Sequence, residues 1–130
     1  GKKVCSVTGS TPAKKIEEYV KDATTQIVLF GGYAQCVEAL KTKQVDAVTT
    51  DNVILLGYVD QEPDAFKMIG TPFTQEPYGI GVNKEHKDLV RFVNGVLEQI
   101  REDGTWQRLY EARLQELGPS PGPPEPRYKD

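Results

Sequence analysis

The chain has 130 residues, of which 38% are hydrophobic and 27% charged, ordinary usage for one globular domain. Its net charge of −3, without a basic arm, argues against nucleic acid as a partner. The longest apolar runs, Ile27–Phe30 and Val53–Val59, fall far short of the roughly 20 residues a membrane helix needs. The chain starts Gly1-Lys2-Lys3 without an apolar leader, so export would require a signal upstream of this sequence.

In chain order, Val4–Val7 reads as a short apolar strand that hands over to a helix through Thr8-Gly9-Ser10-Thr11-Pro12. Gly9 suits a tight turn, a hydroxyl residue can cap, and Pro12 suits a first helical position because its missing N–H would have had no partner. Ile16, Tyr19, Val20 and Ala23 then fall at helical spacing, which predicts a helix over 12–23. Gln26–Phe30 is a β-branched run ended by Gly31-Gly32, followed by a helix around Cys36–Thr42. Val45–Thr49 reads as a strand, Asn52–Val59 as a short helix, Gln61–Asp64 as a loop and Phe66–Ile69 as a strand. Strands alternating with helices imply an α/β fold with a doubly wound, mostly parallel sheet, in which ligands sit beyond the carboxyl ends of the strands.

Thr71–Pro77 has two prolines and no period, so it reads as a connector. Leu89, Phe92, Val93, Val96, Leu97 and Ile100 make a wide apolar stripe on one helix. Asp103-Gly104 stops it, Thr105 can cap the next, and Trp106, Leu109, Tyr110, Leu114 and Leu117 repeat the stripe. Residues 119–130 carry Pro119, Pro121, Pro123, Pro124 and Pro126, cannot form a core, and are expected to be extended or disordered.

The two strand-to-helix turns carry the functional reading. Thr8, Ser10 and Thr11 supply hydroxyls beside the donors of a helix start, a seat for an anionic group. Val45-Asp46-Ala47-Val48 runs into Thr49-Thr50-Asp51-Asn52, where Asp51 is an acceptor-only carboxylate able to hold an ammonium. If parallel strands bring these ends side by side, one sheet edge offers what an α-amino acid requires. A plainer reading makes the first turn a capping device and Asp51 an N-cap. Asp46 begins its strand and so points away from that edge. Tyr19, Phe92, Trp106 and Tyr110 lie on apolar stripes and read as core, while His86 reads as a solvated surface residue.

Cys5 and Cys36 lie on a strand and a helix that neighbour each other in an α/β layer, so a disulfide is plausible, and would imply an oxidising compartment. The alternative is two buried thiols. A lone His86 and two distant cysteines do not make a metal ligand set, and no cofactor is expected. Ser10 invites comparison with a hydrolase nucleophile at a strand-to-helix elbow, a small α/β enzyme. A base is missing, no Gly-x-Ser-x-Gly pattern surrounds it, and the Lys of a phosphate-binding loop is absent.

The run Gly1 to Thr11, then Cys36-Val37-Glu38-Ala39-Leu40 through Asp51, then Tyr78-Gly79-Ile80-Gly81-Val82, resembles the polar amino-acid-binding proteins of ABC importers, extracellular solute-binding proteins of the glutamate and glutamine type in a Gram-positive, actinobacterial form. The resemblance runs from Gly1 to about Leu117. It implies a periplasmic-binding-protein-like fold, a two-lobed clamp of which residues 1–76 are the second, ligand-binding lobe. By the same resemblance residues 77–118 are a return strand and helices belonging to the first lobe. The implied protein is not an enzyme: it captures glutamate, or glutamine or aspartate, and passes it to an ABC permease. It is exported and anchored by an N-terminal lipid on a part not present here. The implied roles put Asp51 on the ligand ammonium, the Thr11 N–H on a ligand carboxylate with the Ser10 and Thr11 hydroxyls nearby, and Thr50 facing the ligand side chain, with Thr8 and Gly9 counted among the ligand-binding residues. The Gly-Ser-Thr pattern is also that of ionotropic glutamate receptor ligand cores, which tilts the expectation toward glutamate. Some glutamine-specific members carry a basic residue near Val7 and a His at the position of Thr50; this chain has neither. An amino-acid sensor of the same fold would use the same ligand chemistry. Without the first lobe, the helical stripes are expected to pack on this chain's own sheet or to exchange in a domain-swapped homodimer.

Overall fold

In the computed structural model the described residues are 1–128; Lys129 and Asp130, which close the expected proline-rich tail, lie outside them. The backbone divides into two compact units, Gly1–Gln75 and a second that starts at Glu76.

The first unit is built on three parallel strands, β1 (Val4–Val7), β2 (Ile27–Phe30) and β3 (Ala47–Val48), in the order β2-β1-β3. Val4 pairs with both Ile27 and Ala47, so all three strands start level and their carboxyl ends emerge on one edge. Around them run α1 (Thr11–Ile16), α2 (Ala23–Gln26), α3 (Tyr33–Lys41) and α4 (Asn52–Gln61). The central strand is covered on both faces, as parallel sheets are. Cys5, Cys36, Ala39 and Val45 form the core, with Val28, Phe30, Leu40 and Val48 packed on it. The structure joins Cys5 to Cys36 by a disulfide with the Cα atoms 5.5 Å apart, tying the middle strand to α3.

The helix expected over 12–23 is broken. α1 ends at Ile16, and Asp22 starts a new helix by accepting from the Thr24 amide and from the hydroxyls of Thr24 and Thr25. Gln26 Oε1 accepts from the amides of Lys21 and Asp22 at 3.0 Å, closing the turn before it. Side chains that bond local backbone this way compete with the helix ladder. Tyr19 is thereby carried out of the core to 58% exposure, where its ring meets that of Phe73 with centroids 5.0 Å apart.

The strands expected at Phe66–Ile69 and Tyr78–Val82 do not form: neither stretch pairs with a strand among the described residues. β-structure exists only as a ladder, and an apolar run without a partner stays extended and wet, as Ile69 and Ile80 do. β3 is likewise shorter than the expected Val45–Thr49, although Thr49 N–H still donates to the Cys5 carbonyl at 2.9 Å and continues the pairing by one bond.

The second unit holds α5 (Lys87–Glu102) and α6 (Thr105–Leu114), packed on each other and followed by a 3₁₀ turn at Gln115–Leu117. Between the helices the Asp103 carboxylate, not Thr105, does the capping: it accepts from the Thr105 amide at 2.8 Å, and Gly104 takes the left-handed conformation at φ 77° that the reversal needs. Trp106 stacks on Tyr110. Phe92, expected as core, is exposed, as are Leu89 and Val96. A stripe is buried only where something covers it, and α6 covers one side of α5. Residues 118–128 form neither helix nor strand, with the Ser120 hydroxyl donating to Gln107 and Arg101 donating to the Pro124 carbonyl.

Candidate functional site

Both turns singled out in the sequence lie at the carboxyl edge of the sheet, on adjacent strands. At the end of β1 the Thr8 amide donates to the Phe30 carbonyl at 2.9 Å and the Ser10 amide to Val7 at 3.1 Å, with Gly9 between them at φ 77°. That left-handed φ is strained for any L side chain, which is the physical reason for glycine there. Ser10 is the N-cap of α1: its extended backbone turns its Oγ onto the Ala13 amide at 3.2 Å, and its carbonyl takes the Lys14 amide. Pro12 stands one position later than expected, second in the helix, and has no N–H to satisfy. The Thr11 amide is the first-turn donor the helix itself cannot use. α1 has six residues, so its dipole is small.

The second turn is stitched to the first through Ser6. Its hydroxyl, wholly buried in β1, donates to the Thr49 carbonyl at 3.0 Å and lies 3.4 Å from Ser10 Oγ. Thr50 follows with its hydroxyl oxygen buried and without a hydrogen-bond partner among the described residues. Such an atom calls for a donor or acceptor brought by something else. Asp51 is the N-cap of α4 and half-buried; its carbonyl takes the Leu55 amide at 3.0 Å, while its side chain makes no capping bond. The structure therefore brings Thr8, Gly9, Ser10, Thr11, Thr50 and Asp51 to one edge of the sheet.

Asp46 sits at the opposite end of β3 and is engaged there. It accepts from the Lys2 ammonium at 2.7 Å and the Lys3 amide at 2.8 Å, and these bonds hold its carboxyl below the ordinary range. His86 is exposed at the start of α5. The Ser10 hydroxyl lies 3.4 Å from the Ser6 hydroxyl and accepts from the Ala13 amide. Among the described residues no group of three or more His, Cys, Asp or Glu is placed to hold a metal, and no helix is long and apolar enough to cross a membrane. Sequence reasoning missed Ser6. The signal was available: a hydroxyl in a central parallel strand is buried on either face and must find a partner.

No protein-family profile matches the chain. It is 41% identical over 118 residues to the glutamate-binding protein GluB of Corynebacterium efficiens, covering 87% of this chain and 40% of that protein. It is 39% identical over 116 residues to the ABC transporter glutamine-binding protein GlnH of Bacillus subtilis, covering 89% and 41%. Among solved structures, an ancestral arginine-binding protein bound to arginine superposes with a TM-score of 0.72 at 39% identity, covering 88% of this chain and 51% of that one. The chain thus spans about two fifths of the length of the curated relatives it matches. Its homologues are glutamate- and glutamine-binding proteins, and its α/β fold is that of the periplasmic amino-acid-binding proteins.

Proposed function

We propose that this chain, a homologue of glutamate- and glutamine-binding proteins, is the second-lobe part of a solute-binding protein that captures glutamate, glutamine or aspartate outside the cell for an ABC importer. The observation that carries the reading is the shared edge: the Ser10–Thr11 hydroxyls at the end of β1 and the Asp51 carboxylate beyond β3, on strands locked in register by Ser6 and Thr49. Asp51 would hold the ligand ammonium, Thr11 a carboxylate, and Thr50 the ligand side chain, its buried hydroxyl gaining a partner. Residues 1–76 would form the ligand lobe, and α5 and α6 would belong with a first lobe that also supplies the remaining clamp contacts.

The protein would bind without catalysing. The Cys5–Cys36 disulfide supports an oxidising compartment, and lipid anchoring would come from the part beyond this chain. An ABC permease would be its partner. Use of the same lobe in a receptor would change the destination of the signal and not the ligand chemistry.

Calorimetric titration of the complete protein with glutamate, glutamine, aspartate and arginine tests the reading. Saturable binding of an acidic or amide amino acid is expected. Arginine is the rival to include, since the superposing ancestral protein is bound to it; binding of arginine alone, or of none of the four, would overturn the assignment.

A further inference from the structure

The turn that breaks the helix expected over 12–23 holds two separate pieces of the chain. Just past α1 the Glu18 and Tyr19 amides donate back to the Lys15 and Ile16 carbonyls at 3.2 and 3.0 Å, which gives Tyr19 a defined place. Gln26, whose Oε1 closes the turn, donates through Nε2 to the Lys2 carbonyl at 3.2 Å, so the turn is tied to the chain entering β1. Tyr19 reaches the other piece. Its ring meets that of Phe73 at a centroid distance of 5.0 Å and an interplanar angle of 55°, within the range of a favourable aromatic pair.

Phe73 belongs to the connector. Residues 67–82 form neither helix nor strand, and Met68 and Ile69 are exposed, so no ladder or core holds this stretch in place. Gly70 at φ 75° and Pro72 turn the chain just ahead of Phe73, and the first unit ends at Gln75. Tyr19 and Phe73 are 58% and 46% exposed, so their contact is a fastening on the surface of the unit and not part of its core.

We propose that Tyr19 and Phe73 are positioning residues that fasten the connector to the ligand unit in the arrangement the protein uses to bind its amino acid. The inference rests on the functional reading above and deepens it, because there the connector leads from the ligand lobe to α5 and α6 of a first lobe that completes the clamp. A connector that wanders has to be ordered on binding. The fraction of molecules ready to bind then falls by as much as the fastening is worth, and the apparent Kd rises with it. The rings make the contact, so the Tyr19 hydroxyl is dispensable.

The test is calorimetric titration of the complete protein with glutamate and with glutamine, for the wild type, Tyr19→Phe, Tyr19→Ala, Phe73→Ala and the double alanine variant. Each single alanine should weaken binding by about twofold to tenfold, the worth of one aromatic pair. The factor should be the same for both amino acids, since neither ring is among the residues assigned to the ligand. Tyr19→Phe should bind as the wild type does, and the double variant should lose no more than the weaker-binding single one. A merely structural role would lower the urea midpoint of each alanine variant and leave the affinity of its folded form unchanged. Tyr19→Ala decides the matter if Phe73→Ala does not fold. Wild-type affinity in folded Tyr19→Ala, or losses that add in the double variant, overturns the positioning role while leaving the functional reading intact. A wild type that binds neither amino acid overturns the functional reading, and the positioning role falls with it.

Discussion

Cys5 and Cys36 are both at 0% exposure and joined by a disulfide, so the bridge between the middle strand and α3 is closed to solvent at both ends. Cys5 is also the residue before Ser6, and its carbonyl takes the Thr49 amide at 2.9 Å, next to Thr50. Removing it lengthens the reach of the unfolded chain and takes packing out of the core. For a separation of 31 residues, Cys5→Ala/Cys36→Ala should cost about 3 to 4 kcal/mol in the chain-entropy account, read from urea unfolding. Intact mass after alkylation without reductant should show neither thiol labelled; two labels on folded protein would refute the bridge.

Acid should weaken the tie between the start of the chain and β3. The Asp46 carboxyl is held below its ordinary value by the Lys2 ammonium, with the Lys3 amide and the chain terminus adding to it. The folded state binds that proton less readily than the unfolded chain does. The contribution is therefore in place above about pH 4, the ordinary aspartate value, and is lost as pH falls through the lower folded value. Asp22, held down by the hydroxyls of Thr24 and Thr25, and Asp103, held down by Thr105, act in the same direction. In urea titrations the deficit of Asp46→Asn relative to wild type should be present near neutrality and vanish in strong acid. A deficit that grows in acid would contradict the sign. The pair is exposed and its effect should shrink in salt.

The parts of this fold that local chemistry determines were legible. The stripe from Leu89 to Ile100 sits inside the observed α5, and the Gly9-Ser10 turn caps α1 through a hydroxyl as its residue types imply. Structure that depends on a distant partner was not. Phe66–Ile69 and Tyr78–Val82 have strand composition and no strand to pair with among the described residues, and Phe92 has helical phase without a covering surface. Ser6 was missed for a related reason. A serine between Cys5 and Val7 reads as the outward position of an alternating strand, and only the parallel neighbours on both sides bury it.

The exposed stripe has a solution consequence. Leu89, Phe92 and Val96 are 45%, 68% and 39% exposed on successive turns of α5, a contiguous patch of the kind soluble monomers seldom leave open. Light scattering of this chain across a range of concentrations should show self-association that Phe92→Lys/Val96→Lys suppresses. A chain that stays monomeric, with or without those substitutions, would show the patch to be innocuous.

Asp51 gives the most direct test of the ligand site. It occupies the N-cap of α4, directly after Thr50 at the carboxyl end of β3. An ammonium brought to a partly desolvated edge needs a charged acceptor, and losing that acceptor leaves the cation without compensation. Asp51→Ala in the complete protein should therefore weaken amino-acid binding by at least about 2 kcal/mol, roughly thirtyfold in Kd. Asp51→Asn keeps the shape, removes the charge, and should lose nearly as much. Both should retain the wild-type far-ultraviolet circular dichroism, since the Asp51 carbonyl still accepts the Leu55 amide. Full affinity in both variants would move the ammonium seat elsewhere, whereas a loss confined to Asp51→Ala would mean that Asp51 acts through its size and hydrogen bonding and not through its charge.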